Sequence, residues 1–147
     1  MDDRDLRIRN ATYALFVDLD RAPSASEVAD RQRVTSEGVL ASWERLHNAH
    51  ALVLAPGGRE LLMANPFSAV PTRHRVLARE KWWDANCAWD AFGICASLTS
   101  DGRIETSCPD CDESIRLEVR DGSPSDTGLV FHCLVPARQW WDDIAFT

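Results

Sequence analysis

Two short cysteine motifs carry the residues best suited to chemistry in this sequence. The first places Cys87 and Asp90 in "NCAWDAFGIC", and the second places Cys108 and Cys111 in "CPDC". The apolar run around the first motif predicts a helix over residues 81–97. Residues three apart on a helix share a face, with Cβ atoms about 5–6 Å apart. The side chains of Cys87 and Asp90 are therefore predicted to point the same way.

A thiolate beside a carboxylate is electrostatically unfavourable, because each negative charge raises the pKa of the other group. The pairing of Cys87 with Asp90 makes chemical sense if a soft cation binds the sulfur. It also makes sense if a proton passes between the two groups. The alternative is that Cys87 is a small core residue and Asp90 a surface charge, since free cysteine is among the most buried residue types. Spacing alone leaves both interpretations open.

The C-x-x-C motif is predicted to form a turn between two strands. A structural zinc site usually needs four ligands, often supplied by two such pairs. This chain has no second pair, and His132 and Cys133 are the further candidates. Cys108 and Cys111 are therefore predicted to form either a reduced turn or a weak metal-binding pair. No cofactor is predicted.

Composition narrows the class of protein. The chain has 147 residues, a net charge of −7 and a pI near 5.0. Binding to nucleic acid is not expected, because neutralising phosphates requires clustered Lys and Arg. No apolar run approaches the roughly 20 residues of a membrane span, and the N-terminus does not resemble a signal peptide. We expect a cytoplasmic protein whose five cysteines are thiols or metal ligands.

The first part of the chain has the pattern of a winged helix-turn-helix. A helix is predicted over about residues 5–20, and a second follows the S-x-x-E capping box formed by Ser24 and Glu27. A third helix starts near Thr35. Two short strands then flank the turn Pro56-Gly57-Gly58. Residues 1–66 are therefore predicted to form a winged helix-turn-helix-like domain.

The second part is predicted to be a small α+β core with an antiparallel sheet. Residues 67–80 contain two prolines and little periodicity, which indicates a linker. The core proper is assigned to residues 81–147. After its first helix, the predicted elements are strands near residues 103–107 and 115–120, a third strand over "GLVFHCLVP" at 128–136, and a short helix at "ARQWWDD".

Three segments resemble the alkylmercury lyase (organomercurial lyase) family: "NCAWDAFGI", "IETSCPDCDESIRLEV" and "VFHCLVPARQWWDDIAFT". The resemblance implies a catalytic set of two cysteines and one aspartate, of which Cys87 and Asp90 match the C-x-x-D pair. Cys108 matches a cysteine that is structural in the family. The second catalytic cysteine would fall just after Thr147, so the core is expected to be C-terminally incomplete. Cys133 is not the matching position.

The resemblance also implies a reaction. Thiolates capture R–Hg⁺, a proton delivered to carbon releases R–H, and Hg²⁺ remains on sulfur until small thiols or a mercuric reductase accept it. Cys87 and Asp90 would then both contact the substrate mercury. Two alternatives stay open: a non-catalytic thiol-based heavy-metal binder, and a metal-responsive winged-helix regulator. Against the regulator, the third helix carries Arg45 together with Glu37 and Glu44, whereas a DNA-reading helix should be more basic.

Overall fold

The computed structural model describes residues 1–125, 128–133 and 135–144 and divides into two compact units, Met1–Thr72 and Arg73–Thr147. The boundary falls inside the segment predicted as a linker, 67–80. That segment is not free of structure, because it contributes a strand to each unit. No helix in the described part of the chain is long and apolar enough to cross a membrane.

The helices and strands follow one another in a mixed order. The α-helices are α1 (Asp3–Leu19), α2 (Ala25–Gln32), α3 (Ser36–Asn48) and α4 (Ala88–Leu98), and a 3₁₀ helix covers Ala137–Asp142. The strands are β1 (Val53–Leu54), β2 (Leu61–Ala64), β3 (Phe67–Ser68), β4 (Arg75–Ala78), β5 (Lys81–Asp84), β6 (Gly102–Ser107), β7 (Ser114–Arg120) and β8 (Ser123–Pro124).

The helices of the first unit start at side-chain caps that the sequence indicates. Ser24 accepts a hydrogen bond from the backbone of Glu27, whose carboxylate accepts from the Ser24 backbone in return, which confirms the predicted capping box. Thr35 caps α3 in the same way, through the backbone N–H of Gly38. Such caps satisfy N–H groups that have no partner within the helix. They set where α2 and α3 begin.

The core of the first unit forms around Trp43 on α3. Its side chain is fully buried, and its indole N–H donates to the hydroxyl of Thr12 on α1 at 2.9 Å. Arg45, two residues further along α3, donates to the buried carboxylate of Asp5 on α1 at 2.7 Å. The fully buried apolar side chains around Trp43 include Ile8, Val28, Val39, Leu46 and Leu52.

The predicted hairpin of the first unit is confirmed. β1 and β2 pair in antiparallel fashion, and β3 adds a third strand that the sequence analysis did not predict. The connecting turn contains Gly57 and Gly58 with φ angles of 99° and 69°, a region that favours glycine. The three helices and the hairpin therefore occur in the predicted order, and the assignment as a winged helix-turn-helix stays a prediction.

The second unit contains one antiparallel sheet with the strand order β5-β4-β6-β7-β8. The α+β class and the antiparallel sheet are thus confirmed. One face of the sheet is apolar, with Val76, Ile104 and Leu117 buried. The other face is charged, and Trp82 lies on it between the guanidinium groups of Arg75 and Arg103, at 4.5 and 5.4 Å. An antiparallel sheet that packs on one side commonly alternates in this way.

Helix α4 covers the apolar face by packing against β4 and β6. It buries Ala91, Ile94, Cys95 and Leu98, so Cys95 is a core residue. A Cβ atom at Gly102, the first residue of β6, would lie only 2.6 Å from the Cys95 sulfur. Glycine at this position therefore allows the helix to approach the sheet closely.

Two predicted elements of the second unit are wrong. Residues 81–97 do not form one helix, because β5 occupies Lys81–Asp84 and α4 begins only at Ala88. Trp82 faces outward and Trp83 inward, the alternation of a strand. The predicted third strand at 128–136 is also absent from its described residues, 128–133 and 135–136. Phe131, Val135 and Pro136 of this segment line a surface cleft. Strand β8 pairs instead with the end of β7.

Candidate active site

Cys87 is the N-cap of α4 and not a residue of the helix itself. Its backbone is extended, with φ −148° and ψ 177°, and its sulfur accepts a hydrogen bond from the backbone N–H of Asp90 at 3.4 Å. The prediction that the two residues share a helix face is therefore wrong. They meet because the N-cap side chain turns back over the first turn, as a serine N-cap does, with sulfur in place of oxygen.

Asp90 is held on its other side by Asn86. The amide nitrogen of Asn86 donates to Oδ2 of Asp90 at 3.0 Å. Burial raises the pKa of the Asp90 carboxyl above its usual range, and hydrogen bonds from Asn86 and Cys87 offset part of that rise. A carboxyl with a raised pKa holds a proton more readily near neutral pH, as a proton donor must.

Burial also raises the pKa of the Cys87 thiol. The hydrogen bond from the Asp90 backbone acts in the opposite direction, while the negative charges of Asp90 and Cys133 raise the pKa further. A helix N-terminus normally favours a thiolate. Here the burial of the thiol outweighs that effect and raises its pKa. The proton is therefore held more firmly, and a metal with high affinity for sulfur is needed to replace it.

An open, mostly apolar cleft of about 620 Å³ lies in the same unit. Trp89, two residues after Cys87, forms part of its wall and contacts Phe131, with ring centroids 5.9 Å apart. The other lining residues are Cys133, Val135, Pro136, Ala137 and Trp140. Trp89 is not among the site residues predicted from the sequence. The signal that could have found it is a large aromatic side chain, 62% exposed, within the C-x-x-D motif itself.

Cys108 and Cys111 lie in the turn between β6 and β7, as predicted. The turn is closed by backbone hydrogen bonds from Cys108 to Glu113 and from Asp112 to Cys108, both at 2.9 Å. A hydrogen bond from the Cys111 backbone lowers the pKa of the Cys108 thiol. Within residues 1–125, 128–133 and 135–144, no three His, Cys, Asp or Glu side chains are placed to hold a metal ion. Neither His132 nor Cys133 thus completes a zinc site there.

Comparison with protein-family models matches residues 67–147 to the alkylmercury lyase (MerB) family. The chain belongs to this family. Among solved structures, the mercury-bound form of MerB2 superimposes with a TM-score of 0.70 at 17% sequence identity. The match covers 86% of this chain and 60% of that chain, so the present chain spans less than two thirds of the relative's length. Comparison with curated protein sequences finds no match.

The region assigned to the alkylmercury lyase family contains both cysteine motifs. Cys87, Asp90, Cys108 and Cys111 all lie within residues 67–147. The structure joins Cys87 to Asp90 and keeps Cys108 and Cys111 together in a separate turn. All five cysteines are free thiols. The first motif combines a thiol with a carboxyl whose pKa is raised by burial.

Proposed function

We propose that this protein is an organomercurial lyase in which Cys87 and Asp90 act on the substrate. The observation that carries the proposal is the contact between the Cys87 sulfur and Asp90 at the start of α4, in a chain that belongs to the alkylmercury lyase family. A soft thiol next to a partly buried carboxyl supplies the two groups that the reaction needs. One binds mercury and the other handles the proton.

The first step is capture of the organomercurial by Cys87. Sulfur is a soft ligand and mercury a soft metal, so a thiol displaces harder ligands from R–Hg–X. The S–Hg bond forms, the Hg–X bond breaks, and the thiol proton leaves with X. The raised pKa of Cys87 does not prevent this, because binding to the metal favours loss of the thiol proton.

The second step is protonolysis of the carbon–mercury bond. Asp90 delivers a proton to the carbon, the electron pair of the C–Hg bond forms the new C–H bond, and R–H leaves. Burial raises the pKa of Asp90, which favours the protonated carboxyl relative to an exposed aspartate. Asn86 holds Oδ2 of the carboxyl at 3.0 Å and thereby fixes its orientation beside Cys87. Mercury remains on sulfur as Hg²⁺.

We further propose that small thiols or a mercuric reductase remove the Hg²⁺ and that the protein works in the cytoplasm. Ligand exchange between thiols requires an acceptor with sulfur donors. The five free cysteines are in keeping with a reducing compartment. Under this proposal Cys108 and Cys111 form a reduced turn or a weak metal-binding pair, apart from the reacting groups.

The N-terminal unit is proposed to be a winged helix-turn-helix-like domain that does not bind DNA. Arg45 is the one Lys or Arg on α3, and its guanidinium group is paired with the buried Asp5. Its charge is therefore partly neutralised by a carboxylate of the same unit. This pairing argues against the alternative of a metal-responsive regulator.

Benzene release from phenylmercuric acetate tests the proposal and separates it from a non-catalytic heavy-metal binder. We expect multiple turnovers in the presence of excess small thiol. Cys87→Ser should abolish release, and Asp90→Asn should slow it by roughly 10²–10⁴-fold, the usual contribution of a proton-transferring group.

The matched controls are Cys111→Ser and Asp110→Asn, which change the same residue types in the exposed turn between β6 and β7. Both should release benzene at the parent rate. Equal rates for Cys87→Ser and the parent would disprove the assignment of Cys87. Stoichiometric binding of phenylmercury without any benzene would favour the heavy-metal binder.

A further inference from the structure

Trp89 is the aromatic residue closest in sequence to the sulfur that is proposed to bind mercury. It lies two residues after Cys87, in the first turn of α4, and is exposed. Burial raises the pKa of the Cys87 thiol, and hydrogen bonds from the backbone N–H groups of Asp90 and Trp89 oppose that rise. The sulfur therefore lies against the backbone of the same residue that carries the indole.

The indole of Trp89 forms part of the wall of the apolar cleft of about 620 Å³. Its ring contacts that of Phe131, with centroids 5.9 Å apart and an interplanar angle of 51°. Trp140 lines the same cleft, and its indole N–H donates to the backbone carbonyl of Val135 at 3.0 Å. No charged residue is among the described residues that line the cleft. The walls are therefore aromatic and aliphatic.

The segment that carries Phe131 leaves further apolar surface exposed. Leu129 and Val130, the two residues before Phe131, are both exposed, as are Phe131 and Trp89 themselves. Apolar surface that is left uncovered around a cleft is typical of a ligand-binding groove. In this chain the groove begins at a residue of the C-x-x-D motif.

The chemistry of an organomercurial defines which part of it reaches the cleft. Mercury with one sulfur and one carbon ligand is close to linear, so the organic group extends away from the Cys87 sulfur. A phenyl group can pack against the Trp89 indole in an offset or tilted arrangement, which adds to the free energy from buried area alone. A methyl group has no π-system and buries far less apolar area.

We propose that Trp89 is a specificity-determining residue and that the cleft binds the aryl group of arylmercurials in preference to the methyl group of methylmercury. This inference rests on the proposed function, because mercury must first bind Cys87. It is carried by the position of Trp89 next to Cys87 and by the aromatic, uncharged lining of the cleft. Trp89 acts through non-covalent contact with the organic group and takes no part in the bond changes.

Competition between two organomercurials tests the inference without relying on turnover. The slow variant Asp90→Asn is mixed briefly with equal amounts of phenylmercuric acetate and methylmercuric chloride in glutathione buffer. Mass spectrometry gives the phenyl-to-methyl adduct ratio at Cys87, divided by the same ratio on glutathione to remove the intrinsic difference between the two mercurials. We expect this corrected ratio to favour phenyl. Adding Trp89→Leu should lower it by roughly two- to tenfold, the usual range for one aromatic contact.

Two further variants show whether the aromatic ring at this position is responsible. Trp89→Phe keeps an aromatic ring and should retain most of the preference for phenyl. Trp82→Leu is the matched control, because it removes an exposed tryptophan from the charged face of the sheet. It should leave the corrected ratio unchanged. Equal reductions in Trp89→Leu and Trp82→Leu would overturn the inference.

Release of benzene and methane by the chain with Asp90 intact separates this inference from the proposed function. Trp89→Leu should lower the ratio of kcat/KM for phenylmercury to that for methylmercury by the same factor as the adduct ratio. Parent-like ratios in Trp89→Leu would overturn the role of Trp89 while leaving the lyase proposal intact. If Trp89→Leu lowers the adduct ratio but the parent releases no hydrocarbon, the aryl preference stands and the lyase proposal fails.

Discussion

Cys87 both caps α4 and carries the thiol proposed to bind mercury. A thiol sulfur is a weaker hydrogen-bond acceptor than a hydroxyl oxygen, and here it accepts the Asp90 N–H at 3.4 Å. Serine is among the preferred N-cap residues. The side chain that suits the proposed chemistry is therefore not the one that would best stabilise the helix.

This conflict leads to a prediction about stability. Cys87→Ser should be at least as stable as the parent, since its hydroxyl accepts the Asp90 N–H more strongly. Cys87→Ala should be less stable than Cys87→Ser by about 1 kcal/mol, the usual effect of removing an N-cap side chain. Urea denaturation of the three proteins provides the measurement, and neither variant should capture mercury at residue 87.

Equal urea midpoints for Cys87→Ser and Cys87→Ala would show that the cap contributes nothing at this position. The Cys87→Ser variant would then lose its value as a folded control for the chemistry. The comparison is useful because a single substitution is predicted to preserve or raise stability while it abolishes mercury capture at residue 87.

The sequence predicts that Cys87 and Asp90 lie together, but it does not predict the N-cap contact that brings them together. The C-x-x-D spacing correctly indicated that Cys87 and Asp90 come together. The proposed shared helix face was wrong, because an apolar run does not reveal where a strand ends and a helix cap begins. The N-cap contact becomes visible only once β5 is seen to end at Asp84.

At the level of helices and strands, short sequence motifs predicted the structure correctly in two situations. In one, a side chain hydrogen-bonds to nearby backbone, and in the other, glycine permits a turn. The Ser24–Glu27 capping box and the turn at Gly57 and Gly58 were both confirmed. The segment at 128–136 was wrongly predicted as a strand, because an apolar run gives no information about which partner it will meet. The contact between Phe131 and Trp89 joins residues far apart in sequence, so no local pattern could predict the cleft.

The ion pair between α1 and α3 gives a prediction with a defined pH dependence. The hydrogen bond from Arg45 lowers the pKa of Asp5, so the pair contributes stability above the ordinary pKa of the carboxyl. That contribution is lost as the pH falls through the lowered pKa. Asp5→Asn should therefore reduce thermal stability at pH 7, and its difference from the parent should shrink in acid.

Far-UV circular dichroism follows this loss, since α1, α2 and α3 all belong to the first unit. The control is Asp3→Asn, an exposed acid in the same first turn of α1. It should have a smaller effect at both pH values. A deficit in Asp5→Asn that persists unchanged in acid would contradict the role of the ion pair.

At the level of the whole molecule, the chain combines a helical unit with an α+β unit that contains the candidate site. The family match begins at residue 67, six residues before the second unit starts at Arg73. Resemblance of short motifs identified the family from the sequence, and the antiparallel sheet confirmed the fold class. Neither the short motifs nor the fold class could indicate that Cys133 borders the cleft beside α4. The position of Cys133 depends on how the chain continues after β8.

The most direct test of the account is to trap the captured organomercurial on the slow variant. Asp90→Asn is mixed briefly with one equivalent of phenylmercuric acetate, and the digested protein is examined by mass spectrometry. We predict a phenylmercury adduct, with the phenyl group still attached, on the peptide that contains Cys87, and no such adduct at this position in Asp90→Asn/Cys87→Ser. A phenylmercury adduct on other cysteines with Cys87 unmodified would contradict the central claim that Cys87 captures the substrate.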